Sequence, residues 1–377
     1  MLPVFFYGSL RDHELTEIVL GRRVPDAACQ PAQAEGYATR RAALEAYPML
    51  VPEPGSVAEG LVLLTPTEAD LDRLAFFEEA EYALEPIAVT TPDGPIEAQH
   101  FRPTGKMPPV EALWDFETWR REDRAVAVEA AREYMAWYGR LTVEEIDARW
   151  PGIMIRARQR VRAAREPAPT PGGLRSVFGP GDLDLMRRER AYVSFLAVEE
   201  LRLRHRRFDG GWSKPLSRSA VLWGDAVTLL PYDPARDRVL LIEQFRPAAL
   251  ARGDLCPWCI EVVAGRIDTD ESAEETARRE AREEAGLGIG RLVETGLYYT
   301  TPGLAAETIR GFVGEAELPH SGGLHGLDKE HEDIRAFVLD FEAAMAAVGR
   351  GEINTGPALV ALLWLSANRM RLRDAWA

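Results

Sequence analysis

The stretch Gly265-Arg266-Ile267-Asp268-Thr269-Asp270-Glu271-Ser272-Ala273-Glu274-Glu275-Thr276-Ala277-Arg278-Arg279-Glu280-Ala281-Arg282-Glu283-Glu284-Ala285-Gly286-Leu287 decides how this chain is read. Ser272 with Glu275 three residues on forms a capping box that starts a helix, and Gly286 stands where a left-handed C-cap ends one. Glu280, Glu283 and Glu284 are spaced i, i+3 and i+4, so all three project from one helix face. Like charges packed there repel. A divalent cation with oxygen ligands is the natural compensation, and Arg279 and Arg282 offer a partial one. A solvated acidic face is the bland reading, but it leaves Gly265, Glu271, Arg279 and Gly286 at fixed offsets unexplained.

Outward from this helix, Ala226–Leu230 and Arg238–Ile242 read as two strands of a hairpin. Ile260–Ala264 reads as another strand and Leu359–Met370 as a helix. Upstream, Glu166-Pro167-Ala168-Pro169-Thr170-Pro171-Gly172-Gly173 breaks both helix and strand and marks a linker. Before it, Val4–Tyr7, Leu61–Leu64 and Pro86–Thr90 are strand candidates. Asp115–Tyr138 reads as one helix. Thr142 with Glu145 opens another, and Pro151 fits a first turn beyond it. Arg156, Arg158, Arg160, Arg162 and Arg165 form a basic run there, read as a solvated helix face rather than a nucleic-acid patch.

Length and charge bound the possibilities. The 377 residues suggest two domains, and the net charge of −15 argues against non-specific binding to nucleic acid. No run of about 18 apolar residues predicts a membrane span. The N-terminus lacks the basic region and cleavage site of a secretory leader, and three cysteines form no disulfide framework, so the expected location is cytoplasmic.

The stretch from Gly265 to Leu287 resembles the Nudix box, Gly-x5-Glu-x7-Arg-Glu-U-x-Glu-Glu-x-Gly-U, with U aliphatic or small, and every fixed position matches. The resemblance implies hydrolysis of a nucleoside diphosphate linked to another group, with Mg²⁺ or Mn²⁺ as cofactor. It casts Glu280, Glu284 and the Ala264 carbonyl as metal ligands and Glu283 as a ligand or its orienter. Arg279 would hold the carboxylates by salt bridges, with Glu271 as partner. Ile242–Arg246, Pro257–Glu261 and Tyr298–Gly303 resemble the ADP-ribose pyrophosphatases, and Pro302 follows Leu287 by the fifteen residues that subfamily shows. The resemblance implies a small-molecule nucleotide substrate and a homodimer whose partner strands help bind the adenosine, with Arg206 and Phe208 in the segment concerned. Glu330-His331-Glu332 resembles its catalytic loop; either glutamate can orient or deprotonate the attacking water, and Glu332 is favoured by position. Arg246 would clamp a phosphate, and Glu307 is the next substrate contact. Gly303–Glu307 departs from the subfamily loop, which keeps a related nucleotide sugar open as the substrate.

Val4-Phe5-Phe6-Tyr7-Gly8-Ser9-Leu10 resembles the opening motif of the γ-glutamylcyclotransferase-like fold. There Tyr7, Gly8, Ser9 and Leu10 would bind an anionic, amino-acid-like substrate through backbone N–H groups, and Glu78 would be the proton acceptor; a domain that only binds or scaffolds, with Glu78 at a solvated helix end, stays open. The implied fold class is α+β: a small γ-glutamylcyclotransferase-like β-barrel domain over 1–115, a helical extension over 116–165, a linker over 166–174, and a Nudix α/β/α sandwich over 175–377. Chains with this pairing resemble a family linked to tellurite resistance, a role no residue here explains. Two other classes stay open: a non-catalytic ADP-ribose sensor, and a thiol-redox protein using Cys256 and Cys259.

Overall fold

The structure is a computed structural model and describes residues 1–42, 47–78, 82–104, 109–165, 174, 176, 178–267, 271–327 and 332–376. Glu330 and the linker 166–173 lie outside the described residues. Contacts divide the chain into two units. The first holds Met1–Asp184, Glu189–Ala197 and His205–Trp212, and the second holds Leu185–Arg188, Val198–Arg204 and Ser213–Ala377. The first unit thus runs past the expected start at residue 175, and it takes in Arg206 and Phe208.

In the first unit, β1 (Val4–Phe6), β2 (Cys29–Ala42), β3 (Pro48–Leu63), β4 (Tyr82–Thr91), β5 (Gly94–Pro103) and β6 (Val110–Leu113) run in the order β3-β1-β5-β4-β2-β6. Pairing of β2 back onto β3 closes the first five into a barrel. Closure removes free edges and leaves one set of alternating residues inside. Phe5, Val62, Ile87, Val89 and Ala98 fill that interior. Helix α1 (His13–Leu20) follows β1, and α2 (Glu68–Phe77) follows β3.

The expected single helix over Asp115–Tyr138 is two, α3 (Phe116–Glu122) and α4 (Arg124–Met135), meeting at Asp123. Next come α5 (Val143–Asp147), started by the Thr142 capping box, and α6 (Trp150–Arg165), with Pro151 in its first turn. The basic run on α6 is not all solvated surface, contrary to the expectation from sequence. Arg156 is fully buried, with Nη2 2.6 Å from Glu133 Oε1, and Arg190 Nη2 lies 2.8 Å from Glu133 Oε2. A buried charge needs such a partner, and Glu133 on α4 supplies it.

Strands β7 (Leu183–Val193), β8 (Ala197–His205) and β9 (Leu216–Leu222) form a three-stranded sheet. Sequence reading did not find it, because β7 carries mostly exposed residues and no apolar alternation.

In the second unit, β10 (Ala226–Asp233) and β11 (Arg238–Phe245) pair antiparallel, as the hairpin reading predicts. Helix α7 (Pro247–Arg252) precedes β12 (Trp258–Glu261) and β13 (Val263–Arg266); α8 (Ala273–Ala285) is followed by β14 (Leu292–Tyr299), β15 (Thr308–Glu315), β16 (Gly323–His325) and β17 (Ile334–Asp340), then α9 (Phe341–Arg350) and α10 (Gly356–Trp376). The expected single strand Ile260–Ala264 is therefore two short ones. They part at Val262 because β12 pairs with β11 while β13 pairs with β10. The sheet runs β14-β15-β10-β11-β17-β16 and is apolar on both faces. Val227, Leu229, Leu240 and Ile242 pack with Ala277, Ala281 and Ala285 of α8. Leu230, Tyr232, Val239 and Leu241 pack with Ala358, Leu362 and Leu365 of α10. Period-two alternation with both faces covered makes the expected α/β/α sandwich.

Candidate active site

Local sequence fixes α8. Ser272 accepts from the Glu275 N–H and Glu275 accepts from the Ser272 N–H, the reciprocal pattern of a capping box. Gly286 closes the helix at φ +64°, a left-handed conformation glycine adopts without strain. With the alanine stripe turned to the sheet, Glu280 and Glu284 approach β13 at Gly265 and Ala264, and Glu283 is linked to Glu280 through Arg279.

That face is crowded by construction. A Cβ at Gly265 would lie 1.8 Å from Glu280 Oε1, so only glycine lets β13 pass so close to this carboxylate. Glu284 is 3% exposed and accepts from the Ala264 N–H at 3.0 Å. Arg279 holds the group together: Nε reaches Glu271 at 3.0 Å, and Nη1 reaches Glu280 at 2.7 Å and Glu283 at 2.8 Å. Burial pushes the Glu280 carboxyl up to about 7 against the pull of Arg279, with Glu283 and Glu332 adding repulsion. Burial raises Glu284 well above the usual carboxylate range, and Glu280 and Glu332 add to it.

The residues suit a hard divalent cation in kind. The donors are carboxylate and carbonyl oxygens, they carry more negative charge than their surroundings balance, and Gly265 opens a cradle beside Glu280. As they stand, no three acidic, histidine or cysteine side chains among the described residues are gathered tightly enough to hold an ion. The Arg279 guanidinium lies between Glu280 and Glu283 instead.

Several expected residues meet here. Arg246 donates from Nε to Glu261 Oε2 at 2.8 Å and approaches it through Nη2 at 2.7 Å, while Gln244 donates to the same oxygen at 3.2 Å. Glu284 also acts electrostatically on Arg246, so the guanidinium belongs to the carboxylate group. Glu332 acts on both Glu280 and Glu284. Sequence reading placed Glu261 in the Pro257–Glu261 segment that resembles the pyrophosphatases, but gave it no role of its own. The signal available was register: Gln244 pairs with Cys259, so Gln244, Arg246, Cys259 and Glu261 share one face of the β11–β12 ribbon.

Other expected residues stand apart. Glu307 has its own partners: the Thr300 hydroxyl donates to it at 3.1 Å, and burial raises its carboxyl, with Asp225 adding to the rise. Arg206 lies 4.6 Å over the Trp212 ring and 3.6 Å from Asp182, and Phe208 is 89% exposed with its ring 5.2 Å from Phe178. Cys256 and Cys259 are both free thiols, and a strand rather than a helix N-terminus follows them. The field that would acidify a thiol is absent, and burial pushes Cys259 up.

In the first unit, Gly8 is required because a Cβ would lie 2.4 Å from Pro48 Cγ. Ser9 and Leu10 form a 3₁₀ turn, with Leu10 buried. The Tyr7 hydroxyl donates to the Phe101 carbonyl at 3.1 Å, so the phenol is committed inward. Glu78, at the C-cap of α2, acts electrostatically on Tyr7 and Tyr82, and Tyr82 is hydrogen-bonded to Tyr47. The sequence motifs give Tyr47 and Tyr82 no role beside Glu78.

A mixed sheet between helices, with a capped helix presenting buried carboxylates to a glycine-bearing strand, defines a Nudix-type domain. The family profile "NUDIX domain" matches residues 222–355, and "Gamma-glutamyl cyclotransferase, AIG2-like" matches residues 4–138. The chain belongs to the Nudix family, as a Nudix hydrolase that also carries an AIG2-like γ-glutamyl cyclotransferase domain. It is 40% identical over 207 residues to an ADP-ribose pyrophosphatase of Escherichia coli (strain K12), covering 55% of this chain and 99% of that protein. It is 32% identical to the ADP-ribose pyrophosphatase of Haemophilus influenzae, covering 53% and 93%. It is 34% identical to a GDP-mannose pyrophosphatase of Enterobacter sp., covering 38% and 73%. Nudix hydrolases use divalent metal ions.

Proposed function

We propose that the second unit hydrolyses ADP-ribose to AMP and ribose 5-phosphate with Mg²⁺. The observation carrying this reading is 40% identity over almost the whole length of an ADP-ribose pyrophosphatase. Glu280, Glu284 and the Ala264 carbonyl would hold the ion, with Glu283 orienting them. Bound there, the ion screens the phosphates and lowers the pKa of water. Arg246, already aimed by Glu261, binds a phosphate through its planar fork. Glu332 takes the proton as water attacks phosphorus and the bond to the bridging oxygen breaks; Glu330 is the alternative acceptor. Glu307 contacts the nucleotide.

Arg206 and Phe208 serve the adenosine site of a second copy in a homodimer, which suits the exposed Phe208. Light scattering tests this; a monomer at micromolar concentration would overturn it. The three free cysteines suit the reducing cytoplasm. In the first unit, Gly8, Ser9 and Leu10 bind an anionic amino-acid-like ligand, and Glu78 accepts the proton when a γ-glutamyl amine cyclises. Release of 5-oxoproline from such an amine, lost in Glu78→Gln, is the check.

The deciding experiment is AMP release from ADP-ribose with Mg²⁺, wild type beside Glu284→Gln, with ADP-glucose, NADH and GDP-mannose in competition. Selective turnover that collapses in the variant supports the reading. Preference for GDP-mannose would replace the substrate, and turnover surviving in Glu284→Gln would overturn the site.

A further inference from the structure

We infer that His325 is a positioning residue: it fixes the base of the Glu332 loop against the C-terminus of α8, and so sets both the rate of hydrolysis and the affinity for a divalent cation. The inference rests on the pyrophosphatase reading for its rate component only.

The argument starts from close approaches. Strand β16 pairs with β17 through Gly323↔Ala336, Leu324↔Arg335 and His325↔Ile334. The His325 imidazole lies between two glycines. A Cβ at Gly286 would be 3.1 Å from its Cε1, and a Cβ at Gly323 would be 2.9 Å from its Nε2. Gly286 is the C-cap of the carboxylate helix, so the ring fills a slot whose far wall is that helix's end.

The next residue continues the link. Gly326 has φ +106°, and its N–H donates to the Glu283 carbonyl at 3.4 Å. A Cβ on Gly326 would lie 2.7 Å from the Glu332 carbonyl oxygen and 2.9 Å from Glu332 Cβ. Glu332 in turn donates its N–H to the Leu327 carbonyl at 3.4 Å. The two stems of the loop therefore touch at Gly326 and Glu332, and His325 presses the first stem onto α8. Glu332 stands within electrostatic reach of Glu280 and Glu284. A shift of its stem is a shift of the fourth carboxylate of the site.

Emptying the slot removes the packed ring and leaves those two 3.4 Å hydrogen bonds, at the long and weak end of the range. A misplacement of about 1 Å can cost about 100-fold in rate. Loss of a residue that orients metal ligands typically weakens affinity or activity about 10- to 100-fold.

The test uses the full chain with His325→Ala, His325→Phe and Leu324→Ala. Leu324 is exposed, and its side chain leaves the opposite face of the same strand. Steady-state turnover of ADP-ribose gives kcat and KM, and electron paramagnetic resonance of free Mn²⁺ gives metal affinity. His325→Ala is expected to lower kcat about 10- to 100-fold with KM within about twofold, and to weaken Mn²⁺ binding about 10-fold. His325→Phe refills the slot with a flat ring and restores both; Leu324→Ala changes neither. Three results would overturn the inference: unchanged kcat and Mn²⁺ affinity in His325→Ala, a change confined to KM, or His325→Phe as impaired as His325→Ala. A wild type that binds Mn²⁺ but cleaves no nucleotide removes the pyrophosphatase reading alone, and the Mn²⁺ titrations still decide the role of His325.

Discussion

The proposed metal site would couple cation binding to pH, and the size of the coupling follows from Glu280. Its pKa is raised from 4.5 to about 7 in the folded chain without metal. Below about pH 4.5 the group is protonated in folded and unfolded chains alike and costs nothing. Between 4.5 and 7 the unfolded chain has released the proton and the folded chain has kept it, so stability falls as pH rises. At 1.36 kcal/mol per unit, the cost is about 1.4 kcal/mol at pH 5.5 and about 3 kcal/mol at pH 8. A bound cation keeps the carboxylate ionised and cancels this term. The gain from saturating Mg²⁺ should therefore exceed its value at pH 5.5 by about 2 kcal/mol at pH 8, or about 4–8 °C in the second unit's transition. Melting curves with and without Mg²⁺ at the two pH values measure it, and the difference cancels every group the ion does not touch. Glu280→Gln without metal should melt higher than wild type at pH 8. Equal Mg²⁺ increments at both pH values, or a larger one at pH 5.5, would refute the reasoning.

Other perturbations test separate links. Gly265→Ala puts a Cβ at 1.8 Å from Glu280 Oε1; the carboxylate must move, and kcat for ADP-ribose should fall about 10-fold or more while calorimetry shows a loss of about 1–3 kcal/mol. Glu133→Ala leaves Arg156 and Arg190 buried without their shared carboxylate. The first unit should lose about 3–5 kcal/mol by denaturant titration, with turnover in the second unit unchanged. Arg279→Lys replaces a fork that serves Glu271, Glu280 and Glu283 with a point charge; melting without metal should drop, and the drop should shrink when Mg²⁺ is present. Cys256 is exposed, and serine at Cys259 changes one atom and leaves the Arg246–Glu261 pair in place, so replacing both by serine should leave AMP release within about twofold; a larger loss would revive the thiol reading.

What the sequence told came from short range. The capping pair Ser272–Glu275, the C-cap Gly286 and the three-glutamate face are all set within one helix, and each is where the spacing puts it. The hairpin of β10 and β11 is equally local. The missed features depend on partners far along the chain. Ile260–Ala264 is an apolar run, which tells that it is buried but not that β11 takes its first half and β10 its second. Arg156 reads as surface until Glu133, twenty-three residues earlier on another helix, lies against it. Glu261 holds Arg246 only because β11 and β12 pair in one particular register. The break between α3 and α4 at Asp123 has no proline or glycine to announce it.

Arg279 explains how such a helix folds before any cation arrives. Three carboxylates on one face repel, and burial makes their ionisation costlier, so an uncompensated cluster would hold protons or open the helix. One guanidinium bonded to Glu271, Glu280 and Glu283 supplies positive charge in a planar fork. Glu284 is tied to the Ala264 N–H among the hydrogen bonds described, not to that fork. The compensation is therefore uneven. Glu271 and Glu283 are served, while Glu280, despite its share, and Glu284 are driven toward protonation. The same two residues are the ones proposed above as metal ligands. An arginine that neutralised the whole face would compete with the ion; one that serves its outer half keeps the helix intact and leaves the inner carboxylates in need of a cation.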